Sequence, residues 1–168
     1  MVQFGDNAMI ALYTTRYFLF IFENLNINEA VREALNQHPD QIESLLKDQL
    51  QEGISSTGKK IAPKYTDFTQ QKKAEKGQPY DRVTLYDEGD LYRSIFLETM
   101  PQAFNLDVFD WKAQKLREKY EPRSGKIFAL TKEHIKQVAQ IIKPDLEKIL
   151  IQQIRQLQNN VSKEQITA

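Results

Sequence analysis

Between Ala30 and Leu50 the hydrophobic positions recur at helical spacing, with one interruption. Asn26 or Asn28 can cap a helix running to Gln37, with Ala30, Val31, Ala34 and Leu35 on one side. His38-Pro39 breaks it, because a proline disfavours helix for the residue before it. Asp40 then reads as an N-cap with Glu43 three residues on, a carboxylate version of the capping box. Ile42, Leu45, Leu46 and Leu50 follow at three- and four-residue spacing, and Gly53 is a natural stop. The period lapses over residues 53–82, which predicts a long loop or a hairpin, with a short helix possible around residues 68–76. Beyond Val83, Leu85 and Tyr86, the acids Asp87, Glu88 and Asp90 occupy a turn and can cap a short helix over residues 91–95.

Residues 95–100 then read as a strand. Phe104, Leu106 and Val108 alternate with Asn105 and Asp107, so residues 104–109 read as a second, half-buried strand. Pro101-Gln102-Ala103 connects the two as an antiparallel pair. A helix is expected near residues 112–120, and a break at residues 122–125. From Thr131 one stripe carries Ile135, Val138, Ile142, Leu146, Ile149, Leu150, Ile154 and Leu157, and Pro144 predicts a kink or a split within it. The last residues, 158–168, hold few large apolar groups and should fray. This order predicts an α+β fold: a long C-terminal helix and N-terminal helices packed on a small antiparallel sheet, with a long central loop or hairpin. Three parts result. Residues 1–37 are an apolar segment and helix that can serve as an interface extension, residues 38–158 the α+β domain, and residues 159–168 a frayed tail.

The greasiest stretch, residues 9–22, is too short to span a bilayer and holds Arg16 in its middle. Asp6 precedes it with no base, so it makes a poor secretory signal. It reads as core or as an interface segment, and no membrane partner is expected. The chain of 168 residues has 40% hydrophobic and 27% charged positions, ordinary for one globular domain. Cysteine is absent, which excludes thiol nucleophiles, zinc ribbons and a disulfide framework. Net charge is zero but unevenly spread. Residues 1–52 carry 8 acids and 3 bases, and residues 53–82 carry 7 bases and 3 acids. Residues 83–121 carry 8 acids and 5 bases, and residues 122–168 carry 8 bases and 4 acids. Such blocks suit charge-complementary contacts between subunits, or reflect clustering on a solvated surface.

Little in the sequence points to catalysis. Residues 53–60, GISSTGKK, nearly match a phosphate-binding loop, but Lys60 stands where a magnesium-binding hydroxyl is needed, and a helix precedes the loop instead of following it. Glu133-His134 lacks the second histidine of a metalloprotease, and His134 reads as an exposed residue in the first turn of the last helix. Asp87, Glu88 and Asp90 lack the further ligands of a calcium loop. No catalytic, metal or cofactor residue is singled out. Lys59, Lys60, Lys64, Lys72, Lys73 and Lys76, interleaved with Tyr65 and Phe68, form the candidate interface to a partner or to DNA. Phosphates attract lysine, and aromatic rings stack on bases.

Two segments resemble the phage tail-completion, or virion-morphogenesis, family. In residues 85–95, LYDEGDLYRSI, the residues Gly89, Leu91, Ser94 and Ile95 match a hydrophobic-x-x-T-G-x-L-x-x-S-I pattern, with Glu88 in place of the threonine. In residues 126–135, KIFALTKEHI, the residues Phe128, Leu130 and Thr131 match a stretch that runs into the family's final helix, with Ile127 in place of a proline. Residues 53–90 are also similar to structural proteins of phages and prophages of Bacteroidetes-type bacteria. The resemblance implies an α+β structural protein of the head–tail connector or tail end, located in the virion after synthesis in the host cytoplasm. It implies docking to connector, portal or tail-tube proteins, a homo-oligomeric ring, and no enzymatic activity or cofactor. The alternative is a nucleic-acid-binding accessory protein that uses the lysines of residues 59–76.

Overall fold

The computed structural model describes residues 16–167, with side chains through Val161. These residues form two compact units, one of residues 16–34 and 143–167, the other of residues 35–142. The described elements are helices α1 (residues 16–24), α2 (Ile27–Asn36), α3 (Pro39–Gln51), α4 (Asp67–Glu75) and α5 (Asp90–Arg93), strands β1 (Ile95–Met100) and β2 (Ala103–Val108), and helices α6 (Ala113–Ser124) and α7 (Lys132–Thr167). The architecture is α+β with a long C-terminal helix, as the pattern predicts.

In the smaller unit, the Asn26 side chain accepts a hydrogen bond from the Glu29 amide at 3.1 Å and caps α2. Gln153 on α7 accepts from the Asn26 amide at 3.1 Å, which fastens the α1–α2 connection. Ile21, Ala30, Ala34 and Ile149 are buried. Of the apolar run at residues 9–22, residues 9–15 lie outside the described residues. In the remainder Ile21 is buried, while Phe18, Leu19, Phe20 and Phe22 are exposed, so a core role does not hold for those four. Helix α7 is assigned without a break across its 36 residues, and Pro144 neither splits nor ends it. A proline removes one ladder bond, and the long helix on either side needs no second nucleation. The backbone stays helical through Thr167, past the start of the expected frayed tail.

In the larger unit, α3 begins one residue before the expected cap. His38 occupies the N-cap, and Pro39 sits at the first helical turn, where a missing N–H leaves nothing unpaired. Asp40 and Glu43 therefore form no capping box. Glu43 instead accepts from the Leu97 amide at 3.2 Å and holds α3 against β1. The helix ends in a Schellman motif: the Gly53 amide donates to Leu50 O at 2.9 Å and the Ile54 amide to Gln49 O at 3.1 Å. Met100 pairs with Ala103 and Ile95 with Val108, so Pro101-Gln102 makes a two-residue hairpin turn. Ile42, Leu46, Leu50, Val83, Tyr120 and Ile127 form the centre of the core.

Residues 53–82 are tied down rather than loose. Ile54 and Lys60 bridge as a small hairpin. The Ser55 hydroxyl donates to Ser124 O at 2.6 Å and Thr57 to the same oxygen at 3.0 Å. Ser124 Oγ accepts from the Ala62 amide at 2.8 Å, and the Ser56 amide donates to Lys126 O at 2.9 Å. This lock fixes the hairpin on the end of α6. Helix α6 carries Pro122 in its last turn and ends at Ser124, so the expected break over residues 122–125 falls at its far end. The chain leaves at Gly125, with φ 82° and ψ −177°, a region open only to glycine. Further along, Tyr65 Oη accepts from the amides of Thr84 and Leu85 at 3.1 and 2.9 Å, and Tyr92 Oη donates to Thr84 O at 2.7 Å.

Gly125→Ala is expected to destabilise the protein by about 3 kcal/mol, read as a lower denaturant midpoint. Its backbone region is strained for alanine, and an added Cβ would lie 2.6 Å from Thr57 Cγ2. Burial holds the phenols of Tyr65 and Tyr92 above their ordinary value of 10.0. A raised phenol is neutral in the fold while the unfolded chain ionises. The stabilisation is therefore complete below pH 10 and falls as pH rises beyond it. Denaturant midpoints taken from pH 8 to pH 11.5 should be flat and then drop, and Tyr92→Phe should shrink the drop.

Candidate docking site

The six candidate lysines do not form one surface set. Lys73 on α4 is only 7% exposed. Its ammonium donates to Gln78 Oε1 at 3.0 Å and to Tyr86 O at 2.5 Å, and sits 5.2 Å from the Tyr65 ring centre. Burial lowers its pKa, with partial relief from Asp87. Lys73 is thus a buried fastener of residues 78–86 rather than part of the exposed lysine set. Lys76 pairs with Asp87 at 2.5 Å, which holds that carboxyl below its ordinary value. Lys59, Lys60, Lys64 and Lys72 are exposed, and no described carboxylate pairs with them. Lys72 lies 4.6 Å over the exposed Phe68 ring. Tyr65 is spent on the Thr84 and Leu85 amides and is not a free stacking platform.

The residues carried by the resemblance have local structural tasks. Gly89 is the N-cap of α5, and the neighbouring acids do not cap it: Asp87 turns to Lys76, and Asp90 pairs with Arg93. Ser94 donates to Leu91 O at 2.9 Å and ends the helix. Leu91, Ile95, Phe128 and Leu130 are buried, and the Arg117 guanidinium lies 5.1 Å from the centre of the Phe128 ring. Thr131 Oγ1 accepts from the His134 amide at 3.2 Å, as a cap of α7.

Among the described residues, the most exposed aromatic groups stand where β2 runs into α6. Phe109 is 88% and Trp111 76% exposed. Their turn is built rather than slack. The Phe109 amide donates to Ser94 O at 2.9 Å, and Asp110 Oδ1 accepts from the Lys112 amide at 2.7 Å as an Asx turn. Lys112 and Lys115 reach to 5.5 and 5.7 Å of the indole centre, within cation–π range. Burying both rings against a partner would remove roughly 300 Å² of apolar surface, ~7 kcal/mol before ordering and association costs. The strand alternation already contained this signal. With Leu106 and Val108 facing in, Phe109 must face out, and a tryptophan two residues further prolongs the apolar patch.

A second feature of the same unit is an open cleft of about 550 Å³ between α3, the 54–60 hairpin and the start of α7. Asp48, Glu52 and Glu133 give it three carboxylates against Lys132, and Ile54 adds an apolar wall. Gln49 forms its back. The buried amide donates to Ile54 O at 3.3 Å and Ala129 O at 3.0 Å, and its oxygen accepts from the Thr131 amide at 2.9 Å. The same oxygen meets His134 Nδ1 at 3.1 Å, so His134 is a fixed wall of the cleft rather than a solvated residue. Among the described residues no three carboxylate or imidazole groups are arranged to hold a metal, and no helix is long and apolar enough to cross a membrane.

Comparison with known proteins returns no match, whether to a family model, a curated protein or a solved structure.

Charge reversal separates the lysine roles. Lys73→Glu is expected to destabilise the fold by about 2 kcal/mol or more, because it leaves Tyr86 O without its donor and sets a carboxylate against it. Lys59→Glu and Lys64→Glu, at exposed positions, should stay within about 0.5 kcal/mol of the parent. Urea midpoints of the three variants check this.

Proposed function

We propose that this protein is a non-enzymatic docking component, a part that works by being built into a larger assembly. The observation that carries this reading is the Phe109–Trp111 turn: two large aromatic rings held out in water by a hydrogen-bonded turn and flanked by two lysines. Tryptophan, phenylalanine and adjacent cations are what protein interfaces bury at their centres. The exposed Phe18, Leu19, Phe20 and Phe22 on α1 add apolar surface of the same kind. Every buried polar side-chain atom among the described residues has a hydrogen-bond partner, consistent with polar groups used for structure.

The resemblance in residues 85–95 and 126–135 makes a phage head–tail connector or tail end the assembly in this reading. Connector, portal or tail-tube proteins are then the neighbours, a ring the form, and the virion the location. The alternative, a nucleic-acid-binding accessory protein, would rest on the exposed Lys59, Lys60, Lys64 and Lys72, since Lys73 and Lys76 are engaged within the fold and Tyr65 is not free to stack.

The test is to delete the gene from a host that produces the particles and to complement it with the parent or with Trp111→Ala. Mass spectrometry of purified particles should find the parent protein in them. Deletion should leave heads and tails unjoined in electron micrographs, and Trp111→Ala should restore joining poorly. Absence of the protein from particles, with unchanged infectivity on deletion, would overturn the reading.

A further inference from the structure

The aromatic turn and the acidic cleft both belong to the unit of residues 35–142, and no residue of the turn lines the cleft. We infer that the Phe109–Trp111 turn of one copy of this chain docks into the Asp48–Glu52–Glu133 cleft of a second copy. The inference rests on the docking reading above and names its partner.

Three observations support a second copy as the occupant. The first is charge. Lys112 and Lys115 flank the indole, whereas the cleft sets three carboxylates against Lys132, with Lys136 3.9 Å from Glu133 at its edge, so that Asp48 and Glu52 carry most of its acidity. Asp110, the acid within the turn, accepts the Lys112 amide through Oδ1 and keeps its charge, so the turn presents two lysines to one carboxylate. The second is size and lining. A volume of about 550 Å³ falls within the range of pockets that enclose a small ligand, and Ile54 and the His134 ring offer apolar and flat surface to an indole. The third is preorganisation on both sides. The Asx turn fixes the direction of Trp111, and the Gln49 amide fixes the His134 ring. A contact between two different surfaces is heterologous, so copies add head to tail and close into a ring when the rotation permits.

Trp111 is the chain's sole tryptophan, so its emission reports its own burial. The parent protein is followed by sedimentation velocity and by Trp111 emission over a concentration series, at low and high salt. The expected result is self-association with a blue shift of the emission, both weakened by salt because the pairing charges sit at the surface. Trp111→Ala should weaken self-association by roughly 30-fold or more, as loss of a central interface aromatic does. The double variant Glu52→Lys, Glu133→Lys keeps the tryptophan but should show no concentration-dependent shift. All three positions are exposed, and circular dichroism verifies that each variant is folded.

The deciding experiment mixes the two variants. One keeps an intact cleft and the other an intact turn, so an equimolar mixture should recover a single interface, form a heterodimer and stop there. A parent that stays monomeric with unshifted emission overturns the inference. So does a mixture that recovers nothing, or either variant associating as the parent does. If the inference falls in this way while Trp111→Ala still fails to join particles, the docking reading stands and the turn meets a different protein. If particle joining is also unaffected, both fall.

Discussion

The larger unit is organised around one side chain, the buried amide of Gln49. It uses both donors and meets two partners with its oxygen, reaching the hairpin at Ile54, the 125–131 segment at Ala129 and Thr131, and His134 on α7. An amide in this position replaces water for backbone groups that would otherwise be buried unpaired, each at a penalty of about 1–3 kcal/mol. Its geometry also decides the shape of the cleft, because the elements it joins are the cleft's walls. A leucine there would match the apolar period of α3 but would leave those backbone groups without partners. The stability of the unit and the form of its concave surface therefore depend on the same interaction.

The outer surface follows a different rule. Inside, polar groups are matched; outside, two aromatic rings are left unmatched on a rigid support. A floppy loop carrying Phe109 and Trp111 would lose much of its binding energy to ordering, whereas a turn already held by Asp110 and Ser94 does not. The convex basic feature and the concave acidic one come from different parts of the sequence, and the fold holds both on one unit. A zero net charge is thus compatible with strong local asymmetry.

Helix positions and the strand pair were legible because their apolar groups follow the period of the element. The stripe over Ile42, Leu46 and Leu50 and the alternation over Leu106 and Val108 are examples. What was not legible depended on contacts distant in sequence. The run of lysines looked like one surface because nothing local distinguishes Lys73 from Lys72. Only the arrival of Tyr86 and Gln78 makes Lys73 an internal fastener. Asp40 and Glu43 had the spacing of a capping box, but Pro39 is better suited to the first turn, and β1 supplies Glu43 with another donor. Gln49 looked like one polar position on a helix, and its four partners lie up to 85 residues away. The lapse of periodicity over residues 53–82 was real, yet serine and threonine hydroxyls, with the single buried Ile61, anchor the segment there.

That anchoring affects the order in which the chain assembles. The hairpin lock joins Ser55 to Ser124, 69 residues apart, and cannot close before α6 is in place. Contacts closed over so long a loop form late, so interactions in the lock govern escape from the native state more than entry into it. The segment it restrains is rich in lysine, and a protease needs several residues of released backbone to cut there. Trypsin cleavage within residues 59–64 of the otherwise folded protein would then measure how often the Ser124 latch opens, a local clock set apart from global unfolding.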